Sequence, residues 1–96
     1  MFKRLISKNC YAYDFCYENK IIEFNGDFWH MNPKLFESNY KNPVSKISAK
    51  DKWKYDKEKN NVARSYGYDV LVIWECDYNK NRDDVIKKCI EFLEDK

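Results

Sequence analysis

Residues 69–75 read DVLVIWE, and this run is the strongest strand signal in the chain. It is an almost unbroken series of β-branched and aromatic residues, which pack well on a pleated surface. A strand that is apolar on both faces is typical of a sheet with helices on both sides. The run therefore predicts a central strand that is covered on both faces.

Helical patterns flank this strand. Residues 45–66 are predicted to form a helix that ends at Gly67, since glycine readily adopts the left-handed conformation of a helix cap. Residues 79–84 are predicted to begin a last helix, because their acidic side chains suit the positive end of a helix dipole. One face of the first helix carries, at helical spacing, Ala49, Trp53, Asp56, Asn60 and Ala63. The last helix is expected to bury Ile86, Cys89, Ile90 and Leu93.

The N-terminal third of the chain predicts a β-hairpin. Residues 11–17 form a strand rich in aromatic side chains, and residues 21–25 form a second strand after a polar turn. Residues 1–8 are expected to form a short helix. Residues 26–45 are expected to be an irregular loop, and loops of this length are usually functional or mobile.

The length and the element order define the fold class. A chain of 96 residues is limited to one domain. The predicted order is α-β-β-loop-α-β-α. The fold class is therefore α/β, with a small mixed sheet, made of the hairpin 11–25 and the strand 69–75, flanked by helices.

The charge of the chain is unevenly distributed, although the net charge is only +2. Residues 34–64 contain nine basic and four acidic residues, a net charge of +5. Residues 65–96 contain five basic and eight acidic residues, a net charge of −3. The net charge alone is mild for a nucleic-acid binder, but a basic centre beside an acidic C-terminal third is an asymmetry that the function has to explain.

The cysteines Cys10, Cys16, Cys76 and Cys89 show no metal-binding spacing. The sequence contains no secretion signal and no apolar stretch of about 18 residues. We therefore expect free thiols in the reducing cytoplasm, and no membrane partner, rather than two disulfides.

Two carboxylates on the predicted hairpin suggest a metal site. Glu23 and Asn25 share one face of their strand, opposite Ile22 and Phe24, and Asp14 lies in the partner strand. Neighbouring carboxylates repel each other unless a cation lies between them, and hard oxygen ligands suit Mg²⁺. The alternative is a solvated hairpin face with ordinary surface acids.

His30 and Asp56 are candidates for acid–base chemistry. His30 is the only histidine and follows the candidate metal strand by five residues, and its imidazole suits proton transfer at neutral pH. Asp56 lies on the same helical stripe as Trp53, where a carboxylate is costly without a partner. The alternatives are an ordinary histidine and a surface acid paired with Lys52 or Lys59.

These residues together resemble a known family. Residues 13–15 (YDF), residues 21–30 (IIEFNGDFWH), Asp56 and residues 67–76 (GYDVLVIWEC) resemble the catalytic core of very-short-patch-repair endonucleases. They are more similar still to phage-encoded homing endonucleases with an E-D-x-H-D active-site pattern. The resemblance covers residues 13–76 and implies a PD-(D/E)xK nuclease fold that cuts DNA with a divalent metal.

The resemblance assigns roles to individual residues. Asp14 matches the metal-binding aspartate, and Phe24 falls where a backbone carbonyl binds the metal. Glu23 corresponds to the strand glutamate of the wider nuclease fold, although the repair enzymes have an apolar residue there. His30 matches the catalytic histidine, and Asp56 matches the aspartate of the long helix. The implied cofactor is Mg²⁺ or Mn²⁺.

The expected DNA contacts come from the irregular loop and the basic helix. Phe28 and Trp29 match aromatic residues that wedge into DNA in the repair branch, although adjacent aromatics more often belong to a core. The full set of expected DNA-binding residues is Asn25, Asp27, Phe28, Trp29, Lys46, Lys50, Lys52 and Lys59.

Two departures from the family pattern stand out. No acidic residue precedes Asp14, so the first glutamate of the pattern is missing. Either the segment is abbreviated, or Glu23 or Asp27 substitutes for that glutamate, or the catalytic unit is incomplete. The zinc cluster of the repair enzymes is reduced to Cys76, so no structural zinc is expected and the phage homing branch is favoured.

The function expected from the sequence is a Mg²⁺-dependent endonuclease that hydrolyses double-stranded DNA in a phage or bacterial cytoplasm. Homing enzymes of this kind have a separate DNA-binding region, so residues 1–96 are expected to be a catalytic domain from a longer protein. A homodimer is one way to cut both strands. The alternatives are a mismatch-specific repair nickase and a non-cutting, DNA-binding remnant of the nuclease fold.

Overall fold

A mixed sheet with helices on both faces is formed by the residues that the computed structural model describes. These are residues 3–6 and 12–95, with residues 3–6 and Ala12 described by their backbone alone. The elements are β1 (Lys3–Ile6), β2 (Ala12–Tyr17), β3 (Lys20–Asn25), α1 (Ala49–Ser65), β4 (Asp69–Trp74), α2 (Glu75–Lys80) and α3 (Arg82–Glu94). The strands lie in the order β1-β2-β3-β4, with only the β3–β4 pair parallel. The predicted α/β class and mixed sheet are confirmed.

Strands β3 and β4 run side by side, and α1 forms the crossover between them. Their register runs from Lys20 opposite Asp69 to Asn25 opposite Trp74. Parallel strands need a long connection of this kind, because the chain must return to the same edge of the sheet. The carboxyl ends of both strands therefore meet at Asn25 and Trp74.

The two faces of the sheet are covered by different helices. Glu23 forms an ion pair with Lys59 of α1, so the face of Glu23 lies against α1. On the other face, the ring of Phe24 contacts Tyr78 of α2, with 5.7 Å between ring centroids. The core cluster lies on the α1 side and consists of Tyr13, Cys16, Ile21 and Ala63, with Tyr68 and Val70 packed against it.

The strand predicted over residues 69–75 forms, but it is not central. β4 lies at the end of the described strand order, and Glu75 already belongs to α2. Both faces of β4 are nevertheless in contact with helices, since α1 and the α2–α3 pair all pack against it. Coverage of the faces, rather than a central position, explains why the strand is apolar throughout.

The predicted N-terminal helix is wrong. Within residues 1–8, Lys3–Ile6 form a strand that pairs with β2, and the other four residues lie outside the described part, as does Tyr11. A segment this short is marginal as a helix in water, and pairing with a neighbouring strand supplies backbone hydrogen bonds instead.

Helix α1 begins later than predicted and ends as predicted. Residues 45–47 precede the helix, and the side chain of Ser48 caps it by accepting the backbone N–H of Asp51 at 3.2 Å. Gly67 follows the helix with a φ of +90°, the left-handed conformation that favours glycine.

The predicted last helix is divided into α2 and α3 at Asn81, whose side chain accepts the N–H of Asp84 and begins a new helix. Of the four residues expected to be buried, Ile86 and Ile90 are exposed, and Cys89 and Leu93 are half-buried. Burial still raises the pKa of the Cys89 thiol, against a smaller lowering by Lys88.

Of the described cysteines, Cys76 and Cys89 are free thiols. Among the residues that the structure describes, no helix has the length and apolar character needed to cross a membrane.

Candidate active site

A β-bulge lies in β2 beside Asp14. Lys3 pairs with Cys16 and Leu5 pairs with Tyr13, so a step of two residues on β1 corresponds to three residues on β2. A bulge bends the strand and changes the direction of the side chains around it, and bulges are frequent next to active sites. In a regular strand, residues three positions apart face opposite sides of the sheet. At this bulge, both Tyr13 and Cys16 lie in the core.

Strands β2 and β3 separate at this bulge. Their last paired residues on this side are Phe15 and Ile22. Beyond that pair, the N–H of Phe24 donates to Oδ2 of Asp14 at 3.0 Å, and the N–H of Asp14 donates to Oε1 of Glu23 at 2.9 Å. In a regular ladder, backbone N–H groups of this kind donate to carbonyl oxygens of the partner strand. Here they donate to the carboxylates of Asp14 and Glu23 instead. We call Asp14, Glu23 and Phe24 the strand fork.

The two carboxylates of the strand fork differ in their surroundings. Glu23 is only 3% exposed, and its Oε2 lies 2.8 Å from Nζ of Lys59. With Oε1 bonded to the N–H of Asp14, both oxygens of Glu23 have partners. Asp14 is exposed, and no described basic residue forms an ion pair with it. Within the described residues, Asp14 is therefore the one carboxylate of the fork without an ion pair.

His30 and Asp56 form a dyad. Nδ1 of His30 lies 2.8 Å from Oδ2 of Asp56, and Nζ of Lys52 lies 3.3 Å from Oδ1 of the same carboxylate. Because a carboxylate accepts hydrogen bonds, Nδ1 carries the proton and Nε2 is the nitrogen that can exchange one. The imidazole meets the ring of Trp74 edge-on at 6.4 Å, which sets the dyad at the carboxyl end of β4. Of the two partners expected for Asp56, the structure selects Lys52.

Helix α1 holds the loop that carries His30 at two points. Asp56 bonds the ring of His30, and Nε1 of Trp53 donates to the carbonyl of Met31 at 2.6 Å. Met31 is fully buried and has a φ of 50°, a left-handed conformation that is uncommon outside glycine. Strained residues of this type are concentrated at functional sites, where the surrounding contacts hold them.

Two buried asparagines organise the rest of the loop. Nδ2 of Asn32 donates to Oδ1 of Asp27 at 2.9 Å, and Nδ2 of Asn42 donates to the carbonyl of Phe28 at 3.3 Å. The side-chain oxygen of each asparagine also accepts the backbone N–H two residues further on. Both asparagines precede proline, a dipeptide that favours turns, and this signal was present in the sequence.

A groove of about 270 Å³ opens beside the dyad, between α1 and the end of the sheet. Its walls include Asn25, Trp53, Asp56, Lys57 and Trp74. Asp56 therefore lies on a concave surface that also includes residues of the loop and of the end of the sheet.

The expected DNA-binding residues fall into two groups. The side chains of four of them are exposed: Phe28, Trp29, Lys46 and Lys50. The other four are partly or fully enclosed: Asn25, Asp27, Lys52 and Lys59. Of the enclosed residues, Lys52 and Lys59 are engaged in ion pairs within the site.

The acids do not gather into a ready metal cluster. Among the described residues, no group of three or more His, Cys, Asp or Glu side chains could hold a metal ion. A metal ion at the strand fork would be held by Asp14 together with oxygen atoms that do not belong to a third acidic side chain.

The sequence patterns singled out Asp14, Glu23, His30 and Asp56 as candidates, but they did not predict the contacts of Lys59. The helical pattern allowed Lys59 to pair with Asp56, whereas the structure pairs it with Glu23. No local signal could have shown this, since 36 residues separate the two partners.

No protein-family model matches the chain, and no curated protein or solved structure is significantly similar to it.

Proposed function

We propose that the chain is the catalytic domain of a metal-dependent endonuclease that hydrolyses phosphodiester bonds of double-stranded DNA, of the homing-endonuclease type. The observation that carries the proposal is the pairing of two features at one end of the sheet. Asp14 bonds the backbone of Phe24 near the carboxyl end of β3, and the His30–Asp56 dyad adjoins Trp74, at the carboxyl end of β4.

The donor set of the strand fork is compatible with Mg²⁺ or Mn²⁺. A residue's N–H and C=O leave a strand on the same side, so the carbonyl of Phe24 is directed toward Asp14, to which its N–H is bonded. Mg²⁺ commonly uses one or two carboxylates, retains water and takes further oxygens from substrate phosphates. Asp14 and the Phe24 carbonyl would hold such an ion, and a bound ion would act as a Lewis acid on the scissile phosphate.

The dyad supports proton transfer. Asp56 holds the proton on Nδ1 of His30, and Lys52 holds the Asp56 carboxylate from the other side. Nε2 of His30 can then accept a proton from an attacking water, or donate one to the leaving oxygen when the ring is protonated. These contacts fix the imidazole before substrate arrives, which lowers the cost of positioning it.

Cleavage of supercoiled plasmid tests the proposal. We expect nicking in Mg²⁺ or Mn²⁺ and none in EDTA. Asp14→Asn should abolish nicking while changing the free energy of unfolding by less than about 1 kcal/mol, because an amide oxygen can still accept the N–H of Phe24. No nicking by the folded, unsubstituted chain, or equal nicking by Asp14→Asn, would overturn the proposal.

A second function, a non-cutting DNA-binding domain, is favoured by one observation. Glu23 is fully engaged by Lys59 and by the backbone of Asp14, so that among the described residues Asp14 is the one acid of the fork without an ion pair. A domain of this kind would bind a DNA duplex equally well with Mg²⁺ and with EDTA in a gel-shift assay. It would also take up no Mn²⁺ in a calorimetric titration.

A further inference from the structure

Lys59 is held at the strand fork by three contacts. Its ammonium lies 2.8 Å from Oε2 of Glu23, and the side chains are only 14% and 4% exposed. The ammonium also lies 5.1 Å from the centroid of the Tyr13 ring. The hydroxyl of Tyr13 donates to the backbone carbonyl of Lys59 at 2.7 Å, which ties this turn of α1 to β2. Buried ion pairs are stable only with good geometry and further bonds, and this pair has both.

The charges at the fork limit how many cations it can bind. Asp14 and Glu23 bring two negative charges, and Lys59 neutralises the one on Glu23. Two-metal nuclease sites hold their ions about 3.5–4 Å apart, between carboxylates that both ions share. A second divalent ion on Glu23 would have to displace the Lys59 ammonium from its 2.8 Å contact.

We propose that Lys59 is the built-in cation of the strand fork and takes the place of a second metal ion. The site then binds a single divalent cation, on Asp14. Lys59 is a positioning residue in this arrangement, since it acts through Glu23. The inference rests on the proposed metal-dependent function. It adds to that function the number of metal ions bound and the residue, Lys59, that determines this number.

The number of Mn²⁺ ions bound tests the inference. Calorimetry and electron paramagnetic resonance of the whole chain should give one Mn²⁺ per chain for the unsubstituted protein and none for Asp14→Asn. Lys59→Met removes the ammonium and keeps most of the apolar stem, and it should raise the number to two. Lys59→Arg restores the charge and should return the number to one. Lys87→Met, which removes an exposed lysine of α3, is the matched control and should also bind one.

The outcomes separate this inference from the proposed function. Absence of Mn²⁺ binding by the folded, unsubstituted chain would overturn both. One ion on the unsubstituted chain and still one on Lys59→Met would overturn the inference alone, as would two ions on the unsubstituted chain.

Folding of Lys59→Met is a second readout, because Glu23 would be left buried and unpaired. If circular dichroism shows that this variant is unfolded in EDTA, Mn²⁺ should restore its helix signal by replacing the ammonium. A variant that stays unfolded in Mn²⁺, while Lys59→Arg is folded, would count against the inference.

Discussion

Asp56 makes two contacts with different consequences. Lys52 neutralises its charge from one side at 3.3 Å, and His30 bonds its other oxygen at 2.8 Å. The first contact lowers the cost of placing a carboxylate on a half-buried helix face. The second contact orients the imidazole. Asp56 is therefore a positioning residue for His30.

Under the proposed nuclease function, replacement of Asp56 by asparagine is expected to slow DNA cleavage strongly. An amide can donate to Nδ1, which would move the proton to Nε2 and remove the base. The cleavage rate at saturating DNA should fall by about 10²–10⁴, the usual contribution of general acid–base catalysis, while the DNA concentration at half-saturation changes little. Single-turnover cleavage of a plasmid measures both quantities.

Glu58→Gln is the control for this variant, because it removes an exposed acid from the same helix. Its cleavage rate should equal that of the unsubstituted protein. If Asp56→Asn also cuts at the unsubstituted rate, the dyad has no part in the reaction.

The start of α1 shows how an element is defined by its cap. Ser45 and Ser48 are both serines, a residue type that commonly caps the N-terminus of a helix. The sequence pattern favours Ser45 as the start of the helix. In the structure, Lys46 has a φ of 67°, which is incompatible with a helix at that point. Ser48 instead caps the helix, in a segment where it also forms a bridge with Lys41.

Replacing each serine by alanine distinguishes the two starts. Ser48→Ala should lower the free energy of unfolding by about 1 kcal/mol, because the N–H of Asp51 loses its acceptor. Ser45→Ala removes only an exposed contact of 3.4 Å to the N–H of Ile47 and should change stability by less than about 0.5 kcal/mol. Urea denaturation followed by circular dichroism measures both. Equal destabilisation by the two variants would contradict the observed cap.

Four exposed lysines lie on α1 and in the segment just before it. Lys50, Lys54 and Lys57 follow one another at helical spacing on α1, are all exposed, and form no ion pair with a described residue. Lys46 lies just before the helix and is also exposed. The two lysines turned inward, Lys52 and Lys59, are occupied by the acids of the site.

Under the proposed function, the salt dependence of DNA binding should depend on these lysines. Each lysine that neutralises a DNA phosphate contributes about 0.9 to the slope of log affinity against log salt concentration. The double variant Lys46→Gln, Lys50→Gln should therefore reduce the steepness of that slope by about 1.8. Fluorescence anisotropy of a labelled duplex in EDTA measures the slope without cleavage.

Lys87→Gln with Lys88→Gln is the matched double variant, since both lysines are exposed on α3 in the acidic C-terminal third. Its slope should equal that of the unsubstituted protein. An equal loss of slope in the two double variants would place the DNA elsewhere on the molecule.

Features that depend on local interactions could be predicted from the amino-acid sequence. The alternation of residues 21–25, the apolar run of residues 69–75 and the inward stripe of the long helix are local patterns, and the structure contains all three elements. Each pattern needs only neighbouring residues, because hydrophobic period and backbone propensity act over a few positions. The candidate residues Asp14, Glu23, His30 and Asp56 could be named from the sequence for the same reason.

How these residues meet depends on contacts between distant parts of the chain. The bulge beside Asp14 arises from pairing with β1, a segment whose own pattern suggested a helix. The ion pair of Glu23 with Lys59 joins residues 36 positions apart, and such contacts depend on how the helix lies across the sheet. The edge position of β4 and the exposed Ile86 likewise depend on packing between elements. Local patterns specify elements, whereas long-range contacts between them specify the charges and geometry of the site.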